Sequence, residues 1–320
     1  MAYLLLIIGF LLLIKGADMF VDGSSRLAKA FKIPPIIIGL TIVAFGTSTP
    51  EAAVSISASI SGSSGISIGN AIGSNLVNIS LILGLTAFIT PLQVQKKTIL
   101  KEIPLALLAS IALLVLLLDV QLQGLSSNAL SRSDGIILLL LFGVFLYYIL
   151  EVALKNRSNQ EYLLEPVEVK GTKWKNLMIL IVGLIGLVAG GYLVVYYGKE
   201  IALSLGMSET LVGLTIVAVG TSLPELVTSI TAAIKKESEI ALGNIIGSNI
   251  FNIMFILGAS ATINPLTLTQ NLTFDIVLMI SLTLIVLIFS YTHQRKINRL
   301  EGLILALVYI AYLIIIIIRN

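Results

Sequence analysis

The sequence predicts an all-α polytopic membrane protein: ten transmembrane helices, arranged as two inverted five-helix repeats with broken helices at the midplane. Three observations predict it. Of the 320 residues, 57% are hydrophobic and only 12% are charged, where a soluble domain carries about 25% charged residues. Basic residues concentrate in alternate connections. The segment from residue 3 to about 92 recurs at residues 177 to about 266 at a constant offset of 174.

Long stretches run almost without charge, among them Ile103 to Leu118, Gly135 to Leu150 and Leu177 to Val195. Each approaches the roughly 20 apolar residues that cross a bilayer core. Taken in order, the expected spans are 3–21, 35–59, 65–90, 99–118, 135–152, 176–197, 209–233, 239–262, 274–290 and 300–318. The first holds Lys15 and Asp18, with neither a basic leader nor a cleavage motif, and reads as a true span. Lys15 and Asp18, three apart, are expected to pair. The second, third, seventh and eighth are rich in Gly, Ser, Thr and Asn. The last ends in the lipid-facing run Ile314 to Ile318.

Charge sets the orientation. Connections after odd-numbered spans hold 16 of the 20 Lys and Arg residues, including Arg26, Lys29, Lys96, Lys97, Lys235 and Lys236; the opposite side holds Arg132, Lys199 and Arg319. Basic connections stay in the cytoplasm. Both termini are therefore expected outside a cell membrane, with the central loop inside. Three parts follow: a first repeat over 1–152, a cytoplasmic linker over 153–175 with mixed charge, and a second repeat over 176–320. Because each repeat holds five spans, the second must be inverted relative to the first. Such transporters bind their cargo at the midplane, where the repeats meet.

The repeats agree best in two polar blocks. Gly46-Thr47-Ser48-Thr49-Pro50-Glu51 matches Gly220-Thr221-Ser222-Leu223-Pro224-Glu225. The run from Gly69 to Asn78 matches the run from Gly243 to Asn252. Pro50 has no N–H and clashes with the carbonyl four residues back. The helix should break there and free carbonyls around Ala44 to Thr47, with Ala218 and Thr221 in the same place in the second repeat. Freed carbonyls in a bilayer must be buried in protein or line a wet cavity, and a cation can satisfy them. Thr47, Ser48, Thr221 and Ser222 add hydroxyls; Glu51 and Glu225 add carboxylates. Residues four apart share a helix face, so Asn70, Ser74 and Asn78 form one polar stripe, and Asn244, Ser248 and Asn252 form another. Gly69, Gly73, Gly243 and Gly247 should let helices approach closely.

The candidate ligands are all oxygens. There is no Cys, and the single His, His293, lies in a basic connection. This suits hard cations such as Ca²⁺ or Na⁺. Two close carboxylates repel when empty, so one cation should leave only as another, or protons, arrives. The residues alone leave exchange for Na⁺, exchange for H⁺ and a passive cation channel open. An intramembrane protease would need paired Asp residues, and no enzyme activity is expected. No cofactor, nucleic acid or obligatory protein partner is expected beyond the transported ions and the lipid bilayer.

The paired motifs resemble the two alpha-repeats of the Ca²⁺/cation antiporter superfamily, in its prokaryotic Na⁺/Ca²⁺ exchanger branch, over nearly the whole chain. The resemblance implies alternating access and electrogenic exchange of Ca²⁺ for Na⁺. It implies that Glu51, Glu225 and the backbone oxygens of Thr47 and Thr221 carry Ca²⁺. Na⁺ would use the glutamates with Ala44, Ser48 and Ser74 on one side and Ala218, Ser222 and Ser248 on the other. Asn78 and Asn252 are neutral where several relatives place an Asp, which argues against K⁺ co-transport. The 153–175 connection is too short for the regulatory Ca²⁺-binding domain of animal exchangers.

Overall fold

The computed structural model describes residues 2–124, 126–158, 172–206, 218–268, 272–292 and 294–319. Their helices are α1 (Ala2–Phe31), α2 (Pro35–Thr47), α3 (Thr49–Ile60), α4 (Ser64–Ile89), α5 (Thr98–Leu116), α6 (Asp119–Gln123) and α7 (Arg132–Ser158), then α8 (Lys173–Ser204), α9 (Ala218–Thr221), α10 (Leu223–Ile234), α11 (Ser238–Ile263), α12 (Thr273–Tyr291) and α13 (Arg299–Arg319). Among the described residues, eight helices are long and apolar enough to cross a membrane, and α2 with α3 makes nine if the bent pair is one span. The expected seventh span is described only from Ala218 on; its beginning, with Gly213-Leu214-Thr215, lies outside the described residues, as do most of the central linker and His293.

Helix ends differ from expectation where polar residues pack instead of forming connections. α1 continues past residue 21 to Phe31, because Gly23, Ser24, Ser25, Leu27 and Ala28 are buried. The stretch read as a basic connection is mostly helix. α1 runs against α8 along its length. A Cβ added at Gly16 would lie 2.5 Å from the Leu187 backbone nitrogen, and one at Gly183 would lie 2.5 Å from that of Phe20. Glycines here let two backbones touch, the packing that holds helices together where lipid removes the hydrophobic drive.

Asp18 does not pair with Lys15. Its carboxylate meets Lys235 Nζ at 2.7 Å, and Asp22 meets the same nitrogen at 2.6 Å. Lys15 points outward from α1 while Asp18 is half-buried. The α10–α11 turn reaches across to claim it. Glu237 of that turn accepts from Ser25, so the Lys235-Lys236-Glu237 segment clips α10 and α11 to α1.

α4 and α11 form the interior. In their most apolar 18-residue windows, 72% and 94% of residues are buried, against 22–39% for the other long helices. These two are also the more polar, so the molecule is polar at its centre and apolar outside, as a lipid-facing protein must be. Both contain a π-helical stretch, Val77–Ile82 and Phe251–Leu257, at matching places in the repeats. Such widened turns recur at functional sites.

Two antiparallel ribbons tie the ends together. β1 (Leu92–Gln93), which leaves α4, pairs with β4 (Lys296–Ile297), which enters α13. β3 (Leu266–Thr267), which leaves α11, pairs with β2 (Ala129–Leu130), which enters α7. Each ribbon joins the two halves of the chain. Tyr148 of α7 donates to Glu102 of α5, and Tyr312 of α13 donates to Asp275 of α12 at 2.8 Å.

Candidate cation site

The site begins at two helix breaks. α2 and α3 meet at Ser48 with a bend of 52°. Ser48 has φ −81° and ψ 10°; Ser222, between α9 and α10, has φ −88° and ψ 7°. This sparsely populated region of backbone space is common at active sites. Pro50 and Pro224 each stand one residue into the following helix, as the missing proline N–H requires. The break frees fewer carbonyls than expected: the Ala44 carbonyl still accepts the Ser48 N–H at 2.9 Å. Only the bond to Gly46 is ruled out by proline chemistry.

Glu51 and Glu225 are buried in the first turns of α3 and α10. Their partners are crossed. Ser48 Oγ lies 2.7 Å from Glu225 Oε1, and Ser222 Oγ lies 3.0 Å from Glu51 Oε1. Ser48 also lies 2.9 Å from Ser248 Oγ. A hydroxyl has one proton, so Ser48 donates to the carboxylate and Ser248 donates to Ser48. The second oxygen of each carboxylate, Oε2, is buried without a hydrogen-bond partner among the described residues. Ser74 Oγ, Asn78 Oδ1 and Asn252 Oδ1 are buried too, with no hydrogen-bond partner among the described residues. An unsatisfied buried acceptor costs about 1–3 kcal/mol. Several along two helix breaks and two polar stripes suit a cation bound through oxygen.

Asn70 and Asn244 hold the breaks to the interior helices. Asn70 Nδ2 donates to the Glu51 carbonyl at 3.2 Å and to Ser55 at 2.9 Å. Asn244 Nδ2 donates to the Glu225 carbonyl at 3.3 Å and to Ser229 at 2.9 Å, and Thr47 Oγ1 donates to Asn244 Oδ1 at 2.9 Å. Ser74 and Ser248 follow one turn after these asparagines, and Asn78 and Asn252 one turn later. Ala44 and Thr47 are buried on α2; Ala218 and Thr221 bound α9. α11 lies backbone-close to α2: a Cβ at Gly247 would sit 2.7 Å from the Leu40 carbonyl oxygen. At Gly69 and Gly73 no described atom comes within 4 Å of an added Cβ.

Sequence reasoning missed Ser55, Ser229 and the cluster around Phe45. Ser55 and Ser229 anchor Asn70 and Asn244, and they match at the same offset of 174 that revealed the motifs. Phe45, inside the first break, stacks on Phe251 at 4.6 Å and tilts against Phe142 at 5.7 Å, which joins α2, α7 and α11 beside the site. No periodic signal marks that cluster. Asn75 and Asn249 were seen only as part of a motif. Among the described residues no three Asp, Glu, His or Cys side chains gather as a metal cluster, so a cation here would rest on two carboxylates and neutral oxygens.

Comparisons with known proteins bear on the whole chain. A family model described as "Sodium/calcium exchanger protein" matches residues 1–151 and 175–318. The sodium/calcium exchanger MaX1 of Methanosarcina acetivorans is 33% identical over 98% of this chain and 97% of its own. A putative antiporter, CaxA of Alkalimonas amylolytica, is 40% identical over 97% of each chain. A structure of the sodium-calcium exchanger NCX_Mj, soaked with Na⁺ and Ca²⁺, superposes with a TM-score of 0.82 at 37% identity, covering 97% of each chain. With a family model that matches most of the chain and relatives at 33–40% identity over 97–98% of it, the chain belongs to the sodium/calcium exchanger family.

Proposed function

We propose that this protein is a secondary antiporter that exchanges Ca²⁺ for Na⁺ across a cell membrane by alternating access. Ten spans form two inverted repeats, 1–152 and 176–320, joined by a cytoplasmic linker over 153–175, with both termini outside. The reciprocal ribbons, the matched π-helical stretches and the crossed Ser–Glu bonds support the inverted repeat.

The observation that carries the reading is the crossed pair of carboxylates. Each has one oxygen held by a hydroxyl of the other half and one oxygen without a partner among the described residues. Glu51 and Glu225 would neutralise one Ca²⁺ together with the backbone oxygens of Thr47 and Thr221. Na⁺ would use the same carboxylates with Ala44, Ser48 and Ser74, and with Ala218, Ser222 and Ser248. Asn78 and Asn252 would complete the centre with neutral oxygens. With the site charge at −2, exchange of three Na⁺ for one Ca²⁺ moves net charge. The neutral oxygens favour Na⁺ over H⁺ as counter-ion, because a proton needs only a carboxylate.

Proteoliposomes loaded with Na⁺ test this directly, with external ⁴⁵Ca²⁺ uptake as the readout. Uptake that needs internal Na⁺, rises with an inside-positive potential and vanishes in Glu51→Gln and Glu225→Gln is the expected result. Uptake that ignores Na⁺ and follows a pH gradient would replace the counter-ion. Flux that needs no counter-ion would make the protein a channel.

A further inference from the structure

Asn75 lies at the crossing of α4 and α11, fully buried. Its Nδ2 donates to the backbone carbonyl of Asn249 at 3.3 Å. A backbone carbonyl can only accept, so this bond decides which end of the Asn75 amide points where. Asn75 Oδ1 is then the end turned away, and it accepts from Asn252 Nδ2 at 3.0 Å. The Asn252 nitrogen is thereby committed. Its Oδ1 is the end left over, and that oxygen is buried without a hydrogen-bond partner among the described residues.

We infer that Asn75 is a positioning residue: the relay from the Asn249 carbonyl through Asn75 sets the Asn252 amide with its oxygen, not its NH₂, toward the transported cation. This rests on the cation site proposed above. An amide turned the other way would offer N–H donors to a positive ion. The relay is one-sided. Asn249 Nδ2 donates to the Asn75 carbonyl at 3.4 Å, but Asn249 Oδ1 has no partner among the described residues, so Asn78 does not donate to it as Asn252 does to Asn75. The two pseudo-equivalent asparagines are therefore unequal, and the second repeat supplies the pre-oriented oxygen.

The test exploits the symmetry of a carboxylate, which presents oxygen whichever way it turns. Calorimetric titration of the purified full chain with Ca²⁺, in Na⁺-free detergent buffer, would compare wild type, Asn75→Ala, Asn252→Asp and the double variant, with thermal unfolding to confirm folding. Asn75→Ala is expected to bind Ca²⁺ roughly tenfold to hundredfold more weakly, the scale of one lost polar contact to a charge. The double variant is expected to bind as Asn252→Asp alone does. Wild-type affinity in Asn75→Ala would overturn the inference. So would a double variant weakened relative to Asn252→Asp as much as Asn75→Ala is relative to wild type, since that is the mark of a merely structural role. If Asn75→Ala fails to fold, Asn75→Ser, too short to span both partners, takes its place with the same expectations. Glu51→Gln serves as the separate control: unchanged Ca²⁺ binding in it, or none in wild type, would overturn the parent site instead.

Discussion

The Ser48 hydroxyl donates to Glu225 Oε1 at 2.7 Å, although 177 positions of sequence separate them. Each break thus holds the other's carboxylate, and neither half can shape the site alone. Ser48 serves two partners, Glu225 and Ser248, whereas Ser222 is joined to Glu51. Ser48→Ala should therefore weaken Ca²⁺ binding more than Ser222→Ala. A hydrogen bond to a charged group contributes about 1.5–3 kcal/mol, so Ser48→Ala should lose at least about tenfold in affinity. Equilibrium ⁴⁵Ca²⁺ binding to the two purified variants measures the order.

Removing one charge should cost more than removing one hydroxyl. Glu51→Gln and Glu225→Gln keep the shape of the side chain and delete half of the site's negative charge. Both should reduce Na⁺-dependent ⁴⁵Ca²⁺ uptake to the level of empty liposomes while the protein stays folded. Uptake near wild type in either variant would remove that residue from the site.

The α1–α8 contact should tolerate no added side chain. Gly16→Ala puts a methyl 2.5 Å from backbone, not from a movable side chain. Overpacking of this kind typically costs about 1–3 kcal/mol. Thermal unfolding in detergent should show a lower midpoint for Gly16→Ala and for Gly183→Ala, with Gly143→Ala, where no described atom lies within 4 Å of the added Cβ, as the neutral comparison.

Lys235 clips the α10–α11 turn to Asp18 and Asp22 of α1. Burial by itself would lower its pKa; the hydrogen bonds to the two aspartates outweigh that and raise it above the ordinary 10.5. A raised lysine pKa means that the clip's contribution is complete below the unfolded value and lost only as pH climbs through the folded one. Lys235→Ala should therefore lower stability about equally across the neutral range. The loss should be about 0.5–1 kcal/mol after solvent screening and smaller at high salt. Unfolding midpoints at pH 7 and 9, with and without 1 M salt, check both trends.

Apolar runs, the bias of Lys and Arg and the offset of 174 were enough to determine a helical membrane protein, its internal repeat and the two motifs, because each is a property of local composition and spacing. Proline chemistry located the breaks at Pro50 and Pro224 for the same reason. The end of α1 escaped that reasoning: its last turns are polar by composition, and burial against α8 keeps them helical. Tertiary structure alone decided that Asp18 meets Lys235 rather than Lys15, that Ser48 holds Glu225 rather than Glu51, and that Asn75 commits the nitrogen of Asn252. A hydrogen bond depends on where two side chains end in space, and between distant segments that is set by how the helices pack, not by their order along the chain.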